Sequence, residues 1–274
     1  IGSDGTVIQG FHGGIIYIAT SDITILRNRD IAVYIAYTNP AASVSNIQVL
    51  QNYNVFIGNY FANTSTVTLL NISNNFIDHF STALGNTYSG SISNNVWAFD
   101  ATQNTNNANG GSATLSGTSN IELGGGAYLL QNNIFEGYNN AVAASNNNYF
   151  YFNNAANSTF NYNLALQAGS GQPQTWGFGG TGNVITPIAN AANIFTAFPL
   201  IGSTSADARY QLKVGSPALT TGLGGTPIGM FTGNYPYKLS TIPSIPSVYS
   251  LSSPQGNNPP GNTIQINVST RGNN

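Results

Sequence analysis

A parallel β-helix, an all-β solenoid in which short strands stack coil upon coil, is the fold this sequence predicts. Three observations lead there. One phrase, an apolar residue, two others, then asparagine, recurs as Ile25 to Asn28, Val49 to Asn52, Ile72 to Asn75, Ile92 to Asn95, Leu130 to Asn133 and Phe160 to Asn163. The steps between its asparagines are 24, 23, 20, 38 and 30 residues, a period found in stacked repeat architectures. Around each copy, β-branched or aromatic residues alternate with polar ones, as in Ile23-Thr24-Ile25 and Val67-Thr68-Leu69, which reads as strand. The other architecture of this period, the leucine-rich horseshoe, needs leucines at set offsets and a helical half-repeat, and neither is present.

About twenty residues suffice for a coil of three short strands, and coils then stack about 4.8 Å apart by parallel backbone pairing. The asparagine follows from that geometry. A bend between strands needs a left-handed or bridge backbone conformation, which asparagine tolerates. Identical bends on successive coils place the amides one above another, so that each can donate to the next. The chain holds 40 asparagines. Chance would scatter them and would not set an apolar residue three before each of six. Asn28, Asn52, Asn75, Asn95, Asn133 and Asn163 are therefore the expected ladder.

Along the chain, Val7 to Phe11 and Ile15 to Ile18 read as strands of the first coil, with no capping helix before them. That leaves a row of unpaired backbone groups, so either the sequence begins within a longer protein or another chain covers the edge. Residues 23–100 hold the tightest repeats. Ala101 to Gly111 is poor in apolar residues and reads as a loop bulging from one bend, which accounts for the 38-residue step. Gly124-Gly125-Gly126 reads as a turn: no Gly-Lys-Ser/Thr follows, as a phosphate loop would need. Tyr149-Phe150-Tyr151-Phe152 either sends alternate rings into the core or offers a platform for sugars. Residues 164–200 read as irregular final coils.

The repeat, as in Ile72-Ser73-Asn74-Asn75-Phe76 and Ile92-Ser93-Asn94-Asn95-Val96, resembles that of pectate-lyase-like proteins, which implies a right-handed parallel β-helix. Tyr210-Gln211-Leu212-Lys213-Val214-Gly215-Ser216-Pro217-Ala218, followed by Gly222 and Ile228-Gly229-Met230-Phe231, is similar to the closing segment of many secreted bacterial β-helix proteins. The stretch from Pro236 to Asn274 resembles the tail of large surface β-helix proteins exported by Gram-negative bacteria. These likenesses imply fold and say little of activity, because the same scaffold carries lyases, hydrolases, adhesins and inert fibres.

Three regions are expected: a β-helix over 1–235, a proline-rich extended linker over 236–261, and a terminal strand over 262–274. Six of the 12 prolines fall between Pro236 and Pro260, too many for a sheet interior. Ile264, Ile266 and Val268 then alternate with Gln265, Asn267 and Ser269. This apolar face either lies back along its own β-helix or clips onto a neighbouring copy by strand addition.

Composition narrows function. Charged residues are 5% of the chain, against roughly 25% in ordinary soluble domains. Six Lys and Arg spread over 274 residues make no nucleic-acid patch. Cysteine is absent, so no disulfide or thiolate metal site forms. No apolar run reaches the ~18 residues of a membrane helix. The first residue is Ile1, which suggests a processed chain whose signal peptide is gone, and an extracellular place. No cofactor is implied. His12 and His79 show no metal spacing, and paired aspartates are missing.

One constellation has catalytic character. Asp78 and Glu136 each stand three residues after a ladder asparagine, where other coils carry Ile31, Val55, Ala98 and Leu166. With one coil between them they would lie about 10 Å apart, close to an inverting glycosidase pair, and Asp100 is nearby. The leading expectation is nonetheless a secreted structural or adhesive protein of the bacterial surface. Its β-helices would stack end to end into a self-associating filament, with Ile264, Ile266 and Val268 as the clip. The alternative is an extracellular β-helix that binds or degrades polysaccharide.

Overall fold

The computed structural model describes residues 5–36, 43–58, 65–81, 87–98, 118–136, 149–153, 155–167, 180–187, 190–197, 205, 207–239, 247–252 and 267–271. Strands in chain order are β1 (Thr6–Gln9), β2 (Ile15–Ile18), β3 (Ile23–Leu26), β4 (Arg29–Ile35), β5 (Ser43–Leu50), β6 (Tyr53–Gly58) and β7 (Thr66–Ser73). There follow β8 (Phe76–Ser81), β9 (Thr87–Ser93), β10 (Val96–Ala98), β11 (Thr118–Glu122), β12 (Ala127–Gln131) and β13 (Ile134–Glu136). The last are β14 (Tyr149–Asn153), β15 (Thr159–Asn161), β16 (Leu164–Gln167), β17 (Val184–Pro187), β18 (Ser247–Ser252) and β19 (Asn267–Arg271).

Strands β1 to β17 fall into two sheets. One runs β1-β3-β5-β7-β9-β12-β15, and the other β2-β4-β6-β8-β10-β13-β16-β17. Every neighbouring pair along both paths is parallel. Register advances by one coil per step: Ile25 pairs with Val49, Val49 with Ile72, Ile72 with Ile92, Ile92 with Leu130, and Leu130 with Phe160. The result is an all-β, solenoid-like architecture. Two coils show the expected three strands, β11-β12-β13 and β14-β15-β16, with β11 parallel to β14 and joined to the end of β8 at Ser81. In earlier coils the long strands β5 and β7 bend at Asn46 and Leu69, whose φ angles are positive.

The repeated phrase sets the core. Its first residues, Ile25, Val49, Ile72, Ile92, Leu130 and Phe160, are all fully buried between the sheets. Rings fill the wider coils: Phe80 meets Trp97 and Tyr128 edge-on, at centroid distances of 5.8 Å in each case. Phe152 joins them, edge-on to Phe135 and Phe160, so this ring of the aromatic run points inward. The three glycines form the expected turn, closed by Gly126 N–H donating to the Leu123 carbonyl at 2.8 Å.

A second core lies outside the solenoid. The described residues of 191–197 and 207–237 do not add final coils; they pack along its flank. Ile194, Phe195, Tyr210, Ala218, Ile228, Met230 and Tyr237 cover Tyr53, Phe76, Val96, Ile134 and Leu164. The latter five each follow a ladder asparagine, which explains why that position is apolar. The expected closing turn is a short 3₁₀ helix at Pro217–Leu219, capped by Ser216, and Gly229-Met230-Phe231 forms no strand among the described residues.

The proline-rich stretch contains a strand: β18 pairs antiparallel with β19 in a two-stranded sheet of their own. Ala101 to Gly111 lies outside the described residues.

Candidate functional site

The asparagine corner is the best-defined polar feature of the molecule. Each rung's Nδ2 donates to the Oδ1 of the next coil's rung, from Asn28 through Asn52, Asn75, Asn95, Asn133 and Asn163, at 2.9–3.0 Å. Each rung's backbone N–H donates to that same oxygen. The second Nδ2 hydrogen turns back to the preceding coil, to the carbonyls of Ile25, Val49, Ile72, Ile92 and Leu130 for Asn52 to Asn163. The phrase therefore has a reason for its spacing. The residue three before each asparagine buries its side chain and offers its carbonyl to the next rung. Buried amides fully bonded in this way avoid the desolvation cost of unpaired polar groups.

A seventh rung, Asn183, accepts from Asn163 and donates to the Phe160 carbonyl at 2.7 Å. The phrase does not reveal it, because Gly180 stands three before it. Val184 directly after it was the available signal. The ladder starts at Phe11, whose N–H donates to Asn28 Oδ1 and whose carbonyl accepts from Arg29 N–H. A phenylalanine thus occupies the rung position of the first coil.

One detail of the corner differs from expectation. The left-handed residue is not the rung but the one before it: Arg27, Gln51, Asn74, Asn94, Asn132 and Tyr162 all have φ of 54–59°. Four of their side chains, those of Gln51, Asn74, Asn94 and Asn132, meet the flanking C-terminal segment, while Arg27 donates to Gln51 Oε1 at 2.7 Å. Gln51 donates to the Pro236 carbonyl, Asn74 to the carbonyls of Met230 and Thr232, and Asn132 Oδ1 accepts from Leu223 N–H. Residues 223–236 therefore run back along the corner toward the earlier coils.

That segment closes over buried polar groups. Asp207 and Arg209 are 1% and 3% exposed. Tyr237 donates its hydroxyl to Asp207 Oδ2 at 3.1 Å. Burial raises the Tyr237 phenol above its usual range, and the Asp207 carboxylate adds to this. Burial pushes Tyr53 up to about 12; the Arg209 charge opposes the rise and Asp207 assists it.

The ends of the stack are open among the described residues. β1 and β2 each have one strand neighbour, and Val7, Phe11, Ile15 and Tyr17 are 49–58% exposed there. Tyr17 stacks on Tyr34 at 5.6 Å and 18°, leaving its other face at the end of the pile. At the far end, Val184 and Ile185 of β17 are also exposed.

The carboxylates behave differently from one another. Ile77, Trp97 and Phe135 form one row, and Ala98 pairs with Glu136, so the backbones of Asp78 and Glu136 lie on one sheet with β10 between them. But Val55 pairs with Ile77, and Phe56 with His79. Asp78 sits in this register shift, not level with Ile31 and Val55. The side chain of Glu136 and all of Asp100 lie outside the described residues. No group of three potential metal ligands occurs among the described residues. His12 Nε2 instead contacts Asp30 Oδ2 at 2.9 Å. Val268 pairs with Leu251 within the chain, and Ile264 and Ile266 lie outside the described residues.

No helix of the described residues is long and apolar enough to cross a membrane. Comparisons with protein-family models, curated proteins and solved structures gave no match. The likeness to pectate-lyase-like and surface β-helix proteins rests on the quoted motifs alone.

Proposed function

We propose that this chain is a right-handed parallel β-helix of extracellular, bacterial-surface type that associates end to end as a filament subunit. The observation that supports the reading is an apolar edge: among the described residues β1 and β2 each pair on one side only, and Val7, Phe11, Ile15 and Tyr17 there are about half exposed. Low charge offers little repulsion to association. The two ends of the stack are unlike, so contact between them is heterologous and does not close, which yields filaments.

The ladder itself would not cross the junction. Asn183 of one copy would meet Phe11 of the next, which has no amide. Cohesion would come from parallel backbone pairing and apolar side chains. The terminal hairpin would strengthen it: among the described residues β19 pairs only with β18, which leaves its other edge for strand addition, and a two-stranded sheet by itself is marginal in water.

Negative-stain microscopy tests this with the full chain, with Ile15→Lys/Tyr17→Lys, and with a chain lacking residues 262–274. The parent should form fibres and both altered chains single rods. Fibres unchanged by the two lysines would overturn the reading.

A further inference from the structure

The column of residues directly after the ladder changes character at the first coils. From Tyr53 onward it is apolar, through Phe76, Val96, Ile134 and Leu164 to Val184, each stacked in parallel register on the next. The first two coils place His12 and Arg29 there instead, joined by an isolated parallel bridge, and Arg29 in turn pairs with Tyr53. The flanking segment covers Tyr53 to Leu164. The His12 side chain, at the open edge, is 74% exposed.

His12 belongs to a charged group that ties three coils together. Its Nε2 lies 2.9 Å from Asp30 Oδ2, and Arg29 Nε donates to the same oxygen at 3.1 Å. Asn54 Nδ2 donates to Asp30 Oδ1 at 2.7 Å. An ionised carboxylate only accepts, so a neutral His12 carries its proton on Nε2. The charges of His12, Arg29 and Asp30 then sum to zero, because Arg29 already balances Asp30. A second proton, on Nδ1, makes the sum +1. Among the described residues, the other charges of this end have partners of their own: Arg27 donates to Gln51 Oε1, and Asp22 accepts from Asn46 Nδ2.

We propose that His12 makes end-to-end association pH-dependent: copies join while its imidazole is neutral and part once it is protonated. The inference rests on the filament reading above. Continuing the register across a joint sets His12 of one copy on Val184 of the next, where Val184 and Ile185 present apolar side chains. A neutral imidazole is buried there at the lesser cost, its Nε2–H already bonded to Asp30. The added charge of an imidazolium would lose water with no second anion to meet it. Strands β15, β16 and β17 carry no charged side chain. Tyr162, at the corner between β15 and β16, and Lys213, whose Nζ donates to the Ala192 carbonyl, supply no carboxylate. Histidine ordinarily exchanges its proton between about pH 5 and 8, so the joint weakens as pH falls through that range.

The experiment measures by sedimentation the critical concentration for polymerisation of the full chain at about pH 7.5 and about pH 5.5, both above the ordinary carboxylate range of about 4. Circular dichroism at each pH checks that the chain is folded. Excluding one proton per joint raises the critical concentration at most about tenfold per pH unit. The parent should therefore show a critical concentration about tenfold higher at the lower pH. His12→Gln, able to donate to Asp30 but never charged, should bring the ratio between the two pH values close to one. His12→Lys, charged at both, should join poorly at both. His79→Gln, which alters the chain's other histidine, should keep the parent's ratio. Equal critical concentrations for the parent at the two pH values, or a full rise persisting in His12→Gln, would overturn this inference and leave the filament reading standing. A parent that forms no polymer at either pH would overturn the filament reading, and this inference with it.

Discussion

Asn95 donates its side-chain amide to Asn133 Oδ1 at 3.0 Å, although 38 positions separate them in sequence. The neighbouring rungs Asn75 and Asn95 make the same bond at the same length across 20. Despite the longer step, β10 and β12 belong to coils that keep the ladder in register, and β11 between them pairs parallel with β14. Asn133→Ala would strip acceptors from both the backbone N–H and the Nδ2 of Asn95 and leave the Ile92 carbonyl without its donor. Each buried orphan costs roughly 1–3 kcal/mol, so a loss of about 3–5 kcal/mol is expected in urea unfolding. Asn183→Ala, at the end that water reaches, should cost about 1 kcal/mol.

Gly90 of β9 lies against β7 so closely that a methyl group would fall 1.9 Å from the Leu70 carbonyl oxygen. That neighbour is backbone paired in the sheet and cannot rotate aside. Gly90→Ala should destabilise by about 2–3 kcal/mol, read from thermal or urea unfolding. Gly224, at φ +71° with nothing within 4 Å, should accept asparagine at a cost of about 1 kcal/mol or less.

High pH should undo the flanking segment. Tyr53 and Tyr237 keep their protons more tightly folded than unfolded, so their contribution is intact below about pH 10, the unfolded value, and fades as pH rises through Tyr53's value of about 12. For Tyr53 the shift corresponds to about 2–3 kcal/mol. A titration followed by tyrosinate absorbance should show a late group of phenols that ionise together with loss of near-ultraviolet circular dichroism.

Met230 is fully buried where the flanking segment meets the solenoid. Met230→Ala should cost about 2–5 kcal/mol. Because the segment covers the apolar residues that follow five of the rungs, the same variant should bind a hydrophobic dye before the solenoid itself unfolds.

The fold was legible where chemistry repeats locally. An apolar residue and an asparagine three apart mark a carbonyl and an amide that every coil uses in the same way, so six rungs could be read from sequence. Asn183 escaped because glycine replaces its apolar partner. The doubled asparagines were read as one feature, yet the first of each pair turns the chain and the second builds the ladder. The flanking segment was read as the closing segment of a β-helix over 1–235. Its bonds, such as Gln51 to Pro236 and Asn74 to Met230, join residues more than 150 positions apart, and no local pattern encodes them.

Hydrogen exchange of the side-chain amide protons, followed by nuclear magnetic resonance, tests the stacked asparagine corner most directly. The account predicts that Asn52, Asn75, Asn95, Asn133 and Asn163 exchange slowly and together, at the rate of global unfolding, while Asn183 exchanges faster. Rapid exchange at Asn95 and Asn133, with the other rungs protected, would mean that the ladder is broken at the 38-residue step. Rapid exchange at all of them would mean that there is no ladder.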